Sequence, residues 1–305
     1  MHHAVVATCF VSQFCSEYDD YLVRFRGSSV STRKLHGYVV RKFLNFRFPD
    51  GNVKWSQLRF NDVVDFLGTE FAHLSSRDTQ RAWLMILRSV LRYLAGSGRI
   101  PQGWDGGLPK VTSYSQVRLP KNLAKEQIRA LLAACRGRKR RHARYRALLL
   151  LFLRLGLRLQ EVANLAPCDI DWKNGYLRVR CTKTYSDRVL PLPQDVGDAL
   201  VAHLRNSRQH PARVFEPLRP PCTGQRCYLH VLNSIRYLFG LAGIVDRGSH
   251  SLRHTAATKM VNSGASFKEV ADVLGHKSIS TTFIYAKLDM KSLGEVALPW
   301  PGGAR

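Results

Sequence analysis

The chain has 305 residues and a net charge of +25, because 47 lysines and arginines stand against only 22 acidic residues. A folded protein with this excess repels itself unless a polyanion neutralises it, so nucleic acid is the first candidate partner and an anionic membrane surface the second. The composition argues against a membrane span, since the longest apolar run, 147–153, is broken by Arg154 and falls far short of roughly 20 residues.

The N-terminal residues and the cysteines predict an intracellular, cytoplasmic protein. No Lys/Arg-rich leader is visible, and acidic residues follow from Glu17 onward, so no signal peptide is expected. The seven cysteines are scattered and odd in number, which favours free thiols in a reducing compartment. Cys222, Cys227 and the nearby His230 permit a zinc site, but their loose spacing and the lack of a second cysteine pair favour free thiols by a wide margin.

The first third of the chain has the pattern of a helical domain. A cap-rich stretch at 75–79 precedes a run of apolar residues at helical spacing, and shorter apolar stripes lie at 10–25, 39–46 and 63–71. The apolar positions of the longest stripe are Trp83, Leu87, Val90, Leu91 and Leu94. We expect a helical domain over residues 10–105.

Glycines and prolines punctuate the chain between 97 and 120, where no periodicity is sustained. This composition is typical of a linker, which we place at 106–120. Apolar residues from Ile128 onward mark the first helix of a second domain, expected over 121–305.

The second domain combines helical and strand patterns. The pair Asn174-Gly175 predicts a tight turn, and alternating apolar residues follow it on both sides of a polar tip at 182–187. We expect a small antiparallel β-sheet inside a mostly helical domain. The fold class predicted for the whole chain is mainly α with two domains.

Three polar clusters in the second domain are candidates for chemistry, and the first contains Arg158 and Glu161. Gly156 just before them can end one helix and let the next begin. Arg158 and Glu161 are three residues apart, so on a helix they share a face. An Arg–Glu pair of this kind is usually solvated, so alone it is weak evidence of a site.

The second cluster is His250-Ser251-Leu252-Arg253-His254. On a helix, His250, Arg253 and His254 share one face and offer three donors to an anion. A zinc pair formed by the two histidines is the alternative. It is less favoured, because Ser251 stands where a His-Glu-x-x-His enzyme has its glutamate base.

The third cluster is Gly275-His276, followed nine positions later by Tyr285. Residues 266–269 have the pattern of a capping box, and Gly275 is a natural helix stop, so His276 is expected just past a helix end. Tyr285 is expected in a second short helix. A single tyrosine is most often a half-buried packing residue, and in isolation Tyr285 is best explained in that way.

The order and spacing of these motifs resemble the tyrosine recombinases, also called the phage integrase family. Four motifs occur in the order found in the family: an arginine after Gly-Leu, then His-x-x-Arg, then Gly-His, then the tyrosine. The surrounding segments Leu-Arg-His-Thr-Ala-Ala-Thr and Leu-Gly-His-Lys-Ser are also similar to the family. The resemblance covers about the last 190 of the 305 residues closely, and the first domain only in size and helical character. Because the expected clamp domain starts almost at once, we expect no extra N-terminal arm-binding domain of the lambda type, and the chain resembles Xer-like or transposon-borne members more.

The resemblance implies a catalytic set. It places the family's two arginines at Arg158 and Arg253, its His/Lys position at His250, its second histidine at His276 and its nucleophile at Tyr285. The family's catalytic lysine lies in a β-hairpin between the arginines, which points to Lys183. Many relatives have Gly-Lys-Gly at that turn and this chain does not, so Lys173 is the nearest alternative. Glu161 is expected to orient Arg158.

The implied chemistry is a transesterification at phosphorus. Tyr285 attacks the phosphodiester and forms a 3′-phosphotyrosyl link, which keeps the bond energy, so no ATP is required. Guanidiniums suit the non-bridging oxygens because each gives forked hydrogen bonds. Lys183 protonates the leaving 5′ oxygen, while His250 and His276 donate hydrogen bonds and assist proton transfer. Three or more cations do the work of a metal ion, so neither a metal nor another cofactor is expected.

These expectations describe a site-specific DNA recombinase or integrase that serves integration, excision or transposition of a mobile element. Its partner is double-stranded DNA, clamped by both domains, with most of the affinity from phosphate contacts. The family's four strand cuts imply a homotetramer on two DNA sites, and an accessory DNA-bending protein or a co-encoded recombinase is left open. A type IB topoisomerase and a non-catalytic basic DNA-binding protein are the alternatives; the Gly-His motif before the tyrosine disfavours the first and the complete set of active residues disfavours the second.

Overall fold

The computed structural model describes most of the chain and divides it into two compact units. The described residues are 2–111, 122–137, 139–180, 187–207, 211–217, 223–245, 247–276, 281–282 and 285. The units are Met1–Ser115 and Gln116–Arg305. Within the described residues, no helix combines the length and the apolarity needed to cross a bilayer.

The N-terminal unit is helical, as the apolar spacing predicts. Its helices are α1 (His2–Arg24), α2 (Val30–Arg47), α3 (Phe60–His73), α4 (Arg77–Gly96) and the short α5 (Trp104–Gly107). All five apolar residues of the longest stripe lie on α4 and are buried, with exposed fractions of 3% or less. They pack into one core with buried residues of α1, α2 and α3, and Ile100 and Leu108 join the same core.

The C-terminal unit is a helical unit with a three-stranded antiparallel sheet, which confirms the predicted fold class. Its helices are α6 (Lys125–Ala134), α7 (Arg140–Leu155), α8 (Leu159–Asn164), α9 (Gln194–Arg205), α10 (Gly224–Leu241), α11 (Ser249–Asn262) and α12 (Phe267–Leu274). Its strands are β1 (Ile170–Asp171), β2 (Tyr176–Val179) and β3 (Arg188–Pro191), in the order β1-β2-β3.

The predicted Asn-Gly turn joins β1 to β2. The Asp171 carboxylate accepts hydrogen bonds from the backbone N–H of Asn174 at 3.0 Å and from its side-chain amide at 2.8 Å, and Gly175 has a φ of +69°. Leu177 on β2 pairs with β1 on one side and with Leu190 of β3 on the other. The tip of the β2–β3 hairpin, with Lys183, lies outside the described residues.

Helix α7 forms the centre of the C-terminal unit. Its residues 147–152 are all buried, and it packs against α9, α10 and α11. The helix ends at Gly156, whose φ of +60° is the left-handed conformation that favours glycine. A Cβ at Gly156 would lie 2.6 Å from Cδ2 of Leu274, the last residue of α12. The C-terminal ends of α7 and α12 therefore lie side by side.

Candidate active site

The C-terminal ends of two helices form one side of the candidate site. Helix α7 ends at Gly156 and helix α12 ends at Gly275, each in the left-handed conformation, as the sequence predicts. The predicted capping box at the start of α12 is also present, because Ser266 and Glu269 bond each other's backbone N–H groups. The last carbonyls of a helix have no partner within it and carry partial negative charge, so two such ends side by side form a site for cations.

Arg253, on α11, occupies this site. Its Nη1 donates to the carbonyl of Gly156 at 2.5 Å and its Nη2 donates to the carbonyl of Leu274 at 2.7 Å. The side chain is buried, with 6% of the residue exposed. Burial, with a contribution from the positive charge of Arg158, lowers the pKa of Arg253 to about 10, so the guanidinium stays protonated at neutral pH. The carbonyls hold the group in place without neutralising its charge.

Arg158, the residue that precedes α8, also binds the end of α12. Its Nη2 donates to the carbonyl of Gly275 at 2.8 Å, and its Nη1 donates to Oε1 of Glu161 at 3.0 Å. Glu161 also accepts the backbone N–H of Arg158 at 2.8 Å, which closes the first turn of α8. Glu161 is 7% exposed and the side chain of Arg158 is 32% exposed, so the carboxylate of this pair is buried and the arginine is partly buried.

Arg188, at the start of β3, shares the same carboxylate. Its two terminal nitrogens donate to the two oxygens of Glu161 at 2.9 and 2.8 Å, and its Nε donates to the carbonyl of Val273 at 2.8 Å. Burial alone would raise the pKa of Glu161, but hydrogen bonds and charge from Arg188 and Arg158 lower it below its ordinary value. Glu161 is therefore ionised and bridges two arginines.

Sequence reasoning did not single out Arg188. The signal available was its position two residues before Leu190 on the same strand, because residues two apart on a strand face the same side. Leu190 is buried, so an arginine on that side needs a buried partner. Gly275 makes room for it: a Cβ there would lie 2.9 Å from Nη1 of Arg188 and 3.5 Å from Nη1 of Arg158.

His276 follows the end of α12, as the sequence predicts. Its backbone N–H donates to the carbonyl of Ala271 at 2.9 Å, and its Nδ1 lies 2.7 Å from Oγ1 of Thr282. Burial, reinforced by the positive charges of Arg253 and Arg158, lowers the pKa of His276 to about 4. The ring is neutral at neutral pH and carries a single N–H that is able to donate.

Tyr285 is buried, with 2% of the residue exposed, in a small apolar cluster beside α11 and α12. Its hydroxyl oxygen lies 2.8 Å from Nδ1 of His254. Burial raises the pKa of Tyr285, and the charge of Arg253 opposes that rise. The rest of the short helix expected around Tyr285 lies largely outside the described residues.

The structure brings most of the expected site residues together, and besides the contact of Arg188 with Glu161 it adds a contact of His254 with Tyr285 that sequence reasoning missed. Arg253 lies within electrostatic reach of Arg158, His276 and Tyr285. His250 is exposed, one helical turn before His254 on α11. The sequence places His254 on this face, but the contact between His254 and Tyr285 is tertiary and has no local signal. Nowhere in the described part of the chain do three His, Cys, Asp or Glu side chains form a group able to hold a metal ion.

Comparison with known proteins identifies the family. Residues 121–292 match the model of the phage integrase family. The chain belongs to this family. A putative integrase/recombinase of Sinorhizobium fredii, y4rA, is 36% identical over 301 residues, which cover 97% of this chain and 72% of that protein. Tyrosine recombinase XerA of Thermococcus onnurineus is 27% identical over 284 residues, which cover 93% of each chain. The chain is therefore an enzyme of site-specific recombination, as the motifs predict.

Solved structures share the fold. XerH recombinase in a post-cleavage complex with a palindromic difH substrate matches with a TM-score of 0.71 at 19% identity, over 92% of this chain and 83% of that one. The Tn1549 transposon integrase in complex with transposon right end DNA matches with a TM-score of 0.66 at 17% identity, over 92% of this chain and 99% of that one.

Proposed function

We propose that this recombinase cleaves and rejoins double-stranded DNA through a 3′-phosphotyrosyl intermediate on Tyr285, and that it serves integration, excision or transposition of a mobile element. The observation that carries the proposal is the arginine arrangement beside the tyrosine. Arg253 and Arg158 are held by carbonyls at the ends of α7 and α12, and the charge of Arg253 acts on the Tyr285 phenol. A phosphodiester placed there meets two guanidiniums and an oxygen nucleophile.

The two arginines stabilise the pentavalent phosphorane. Its non-bridging oxygens gain negative charge as the tyrosine attacks, and guanidinium N–H groups meet them in forked pairs. Because the helix ends fix Arg253 before DNA binds, little reorganisation is needed during the reaction. Loss of one such donor costs about 3–4 kcal/mol of transition-state stabilisation.

Three further residues complete the proposed chemistry. Lys183 protonates the leaving 5′ oxygen, and His250 and His276 donate hydrogen bonds to the phosphate. A substrate with a bridging 5′ sulfur tests the lysine, because a thiolate leaves without a proton. Lys183→Ala should be slow on normal DNA and rescued on the sulfur substrate, whereas Arg158→Ala should not be rescued. Equal defects of Lys183→Ala on both substrates would move the role to Lys173.

The proposed partner is double-stranded DNA, held by a helical domain at 10–105 and a catalytic domain at 121–305 that are joined by 106–120. The net charge of +25 supports this, because phosphate contacts supply most of the affinity of a basic protein for DNA. Recombination cuts four strands, so we propose a homotetramer on two DNA sites. The DNA complexes of XerH and of the Tn1549 integrase, which share the fold, are consistent with DNA as the partner.

The direct test is a covalent adduct on a nicked recombination site. The nick lets the short cleaved strand diffuse away, so the phosphotyrosyl protein accumulates and migrates slowly on a denaturing gel. Tyr285→Phe should bind the site and form no adduct, and Tyr237→Phe, a matched change on α10, should form it normally. The adduct is also expected in excess EDTA. An adduct that persists in Tyr285→Phe contradicts the assignment.

A further inference from the structure

The Tyr285 hydroxyl has a specific polar partner. Its oxygen lies 2.8 Å from Nδ1 of His254, and the two rings are 5.6 Å apart between centroids with a tilt of 56°. His254 lies on α11 directly after Arg253, so the helix that carries the buried arginine also carries the contact to the tyrosine. A buried phenol needs a hydrogen-bond partner, and within the described residues the tyrosine oxygen has this one.

The other two histidines of the site are placed differently. Nδ1 of His276 is engaged by Thr282 at 2.7 Å. His250 is exposed at the start of α11, one turn before His254. His254 is the histidine that touches the atom expected to attack phosphorus.

We propose that His254 holds the Tyr285 hydroxyl and accepts its proton as the bond from oxygen to phosphorus forms. The proposal rests on the proposed role of Tyr285 as the nucleophile. In the tautomer that suits it, His254 carries its hydrogen on Nε2, and Nδ1 accepts the hydrogen bond from the phenol.

The step balances without any further reactant. The phenol oxygen forms a bond to phosphorus, the bond from phosphorus to the 5′ oxygen breaks, and the phenol proton moves to Nδ1 of His254. The leaving 5′ oxygen takes its proton from the general acid, proposed as Lys183. In the rejoining step the imidazolium returns the proton to the departing phenolate, so His254 ends the cycle neutral.

The charges around His254 favour its neutral form. Burial lowers its pKa, and electrostatic interactions with His250 and Arg253 on its own helix add to this effect. His276, which faces it from the end of α12, is itself held neutral. Burial meanwhile raises the pKa of Tyr285, so the phenol keeps its proton at neutral pH and needs an acceptor to react.

Two variants of His254 separate its two proposed functions, which are to position the Tyr285 hydroxyl and to accept its proton. His254→Asn places an amide oxygen close to the position of Nδ1, so the hydroxyl is still held, but the amide has no useful basicity. His254→Ala removes both functions. Single-turnover cleavage of a nicked site at saturating protein should be about 100-fold slower in His254→Asn and slower still in His254→Ala. His230→Asn, the same change at a partly buried histidine on α10, is the matched control and should cleave at the wild-type rate.

Two further measurements distinguish proton transfer by His254 from a purely structural role: the pH dependence of cleavage, and the effect of a more acidic phenol at position 285. A neutral histidine accepts the proton, so wild-type cleavage should fall only at pH values below the lowered pKa of His254. In His254→Asn that limb should vanish, and the rate should rise with pH as hydroxide takes over the proton. A ring-fluorinated tyrosine at position 285 is a stronger acid, and it should restore most of the cleavage lost in His254→Asn while changing the wild-type rate little.

Three results would overturn the inference while leaving Tyr285 as the nucleophile. The first is a wild-type rate in His254→Asn, and the second is an unchanged pH profile with no rescue by the fluorinated tyrosine. The third is faster cleavage in His254→Ala, which would mean that His254 restrains the tyrosine. An adduct in Tyr285→Phe, in contrast, is the result that removes the proposed function itself.

Discussion

Two arginines of the N-terminal unit and Arg253 of the C-terminal unit are held in different ways. In the N-terminal unit, Arg33 pairs with Asp19 at 3.1 Å and Arg47 pairs with Asp62 at 2.7 Å, both near the surface. In the C-terminal unit Arg253 is buried and bound by the carbonyls of Gly156 and Leu274. A carboxylate positions an arginine and cancels its charge, whereas a carbonyl positions it and leaves the charge in place.

The carbonyl arrangement suits a site that receives a phosphate. Arg158 and Arg188 share the Glu161 carboxylate, and Arg253 lies near them without a carboxylate hydrogen bond of its own among the described residues, so the group has more positive than negative charge. In the proposed reaction, the DNA phosphate supplies negative charge to this group. The four predictions that follow test this difference between the units.

The largest effect is expected for Arg253→Ala. Single-turnover cleavage at saturating DNA should fall about 1000-fold, because one preorganised donor to the phosphorane is lost. Arg33→Ala in the N-terminal unit, measured at the same saturation, should cleave at the wild-type rate. A loss of the same size in both variants would mean that the cations act only by binding DNA.

A smaller effect, on stability, is expected for Glu161→Gln. The neutral amide leaves Arg188 and Arg158 without their buried counter-charge, so the free energy of unfolding should fall by about 3 kcal/mol at neutral pH. The pKa of Glu161 is lowered in the folded state. Its contribution to the free energy of unfolding is therefore complete at pH values above its pKa in the unfolded chain, and it is lost as the pH falls through its pKa in the folded protein. Urea unfolding at several pH values should therefore show wild type and Glu161→Gln converging in acid. A constant difference would contradict the ionised pair.

Gly275→Ala comes next, and Gly243→Ala is its matched control. Both glycines are left-handed, with φ of +64° and +66°, so each alanine should cost about 1 kcal/mol in unfolding free energy. Only at Gly275 does the new Cβ approach Arg188, at 2.9 Å, and Gly243 has nothing within 4 Å. Cleavage should therefore drop about tenfold in Gly275→Ala alone, because displaced arginines should raise the activation free energy by about 1.4 kcal/mol, which is a tenfold change in rate. Equal cleavage in the two variants would show that the arginines tolerate the shift.

The smallest effect is expected for Arg33→Ala on stability. The pair with Asp19 is partly exposed and screened by solvent, so its loss should change the free energy of unfolding by less than about 1 kcal/mol. Denaturant unfolding of the full chain measures the loss of unfolding free energy in Arg33→Ala and in Glu161→Gln, and so compares a surface pair with a buried carboxylate. A loss as large as that of Glu161→Gln would erase the distinction between the two units.

Local chemistry explains which parts of the site were predictable from the sequence. Gly156 and Gly275 end helices because left-handed backbone favours glycine, and the capping box from Ser266 to Glu269 starts α12; these signals lie within a few residues. The antiparallel sheet followed from one Asn-Gly turn and alternating apolar residues.

The contacts between distant segments were not predictable in this way. Arg188 meets Glu161 across 27 positions, and His254 meets Tyr285 across 31, so neither pair has a spacing that a local pattern reveals. The burial of Glu161 likewise depends on β3 and the end of α12, and an Arg–Glu pair at that spacing is equally compatible with a solvated surface. The role of Lys183 stays a prediction, since it lies outside the described residues.

In the proposed mechanism, Arg253 acts through a positive charge that its carbonyl partners leave in place. A methylphosphonate at the scissile position lacks one negative charge, so the transition state no longer requires that cation. Arg253→Ala should cleave the methylphosphonate site much faster than it cleaves the phosphate site, and the wild-type enzyme should show the opposite preference. If Arg253→Ala is equally slow on both substrates, the guanidinium is a structural clamp between the two helix ends and not the group that neutralises the phosphate.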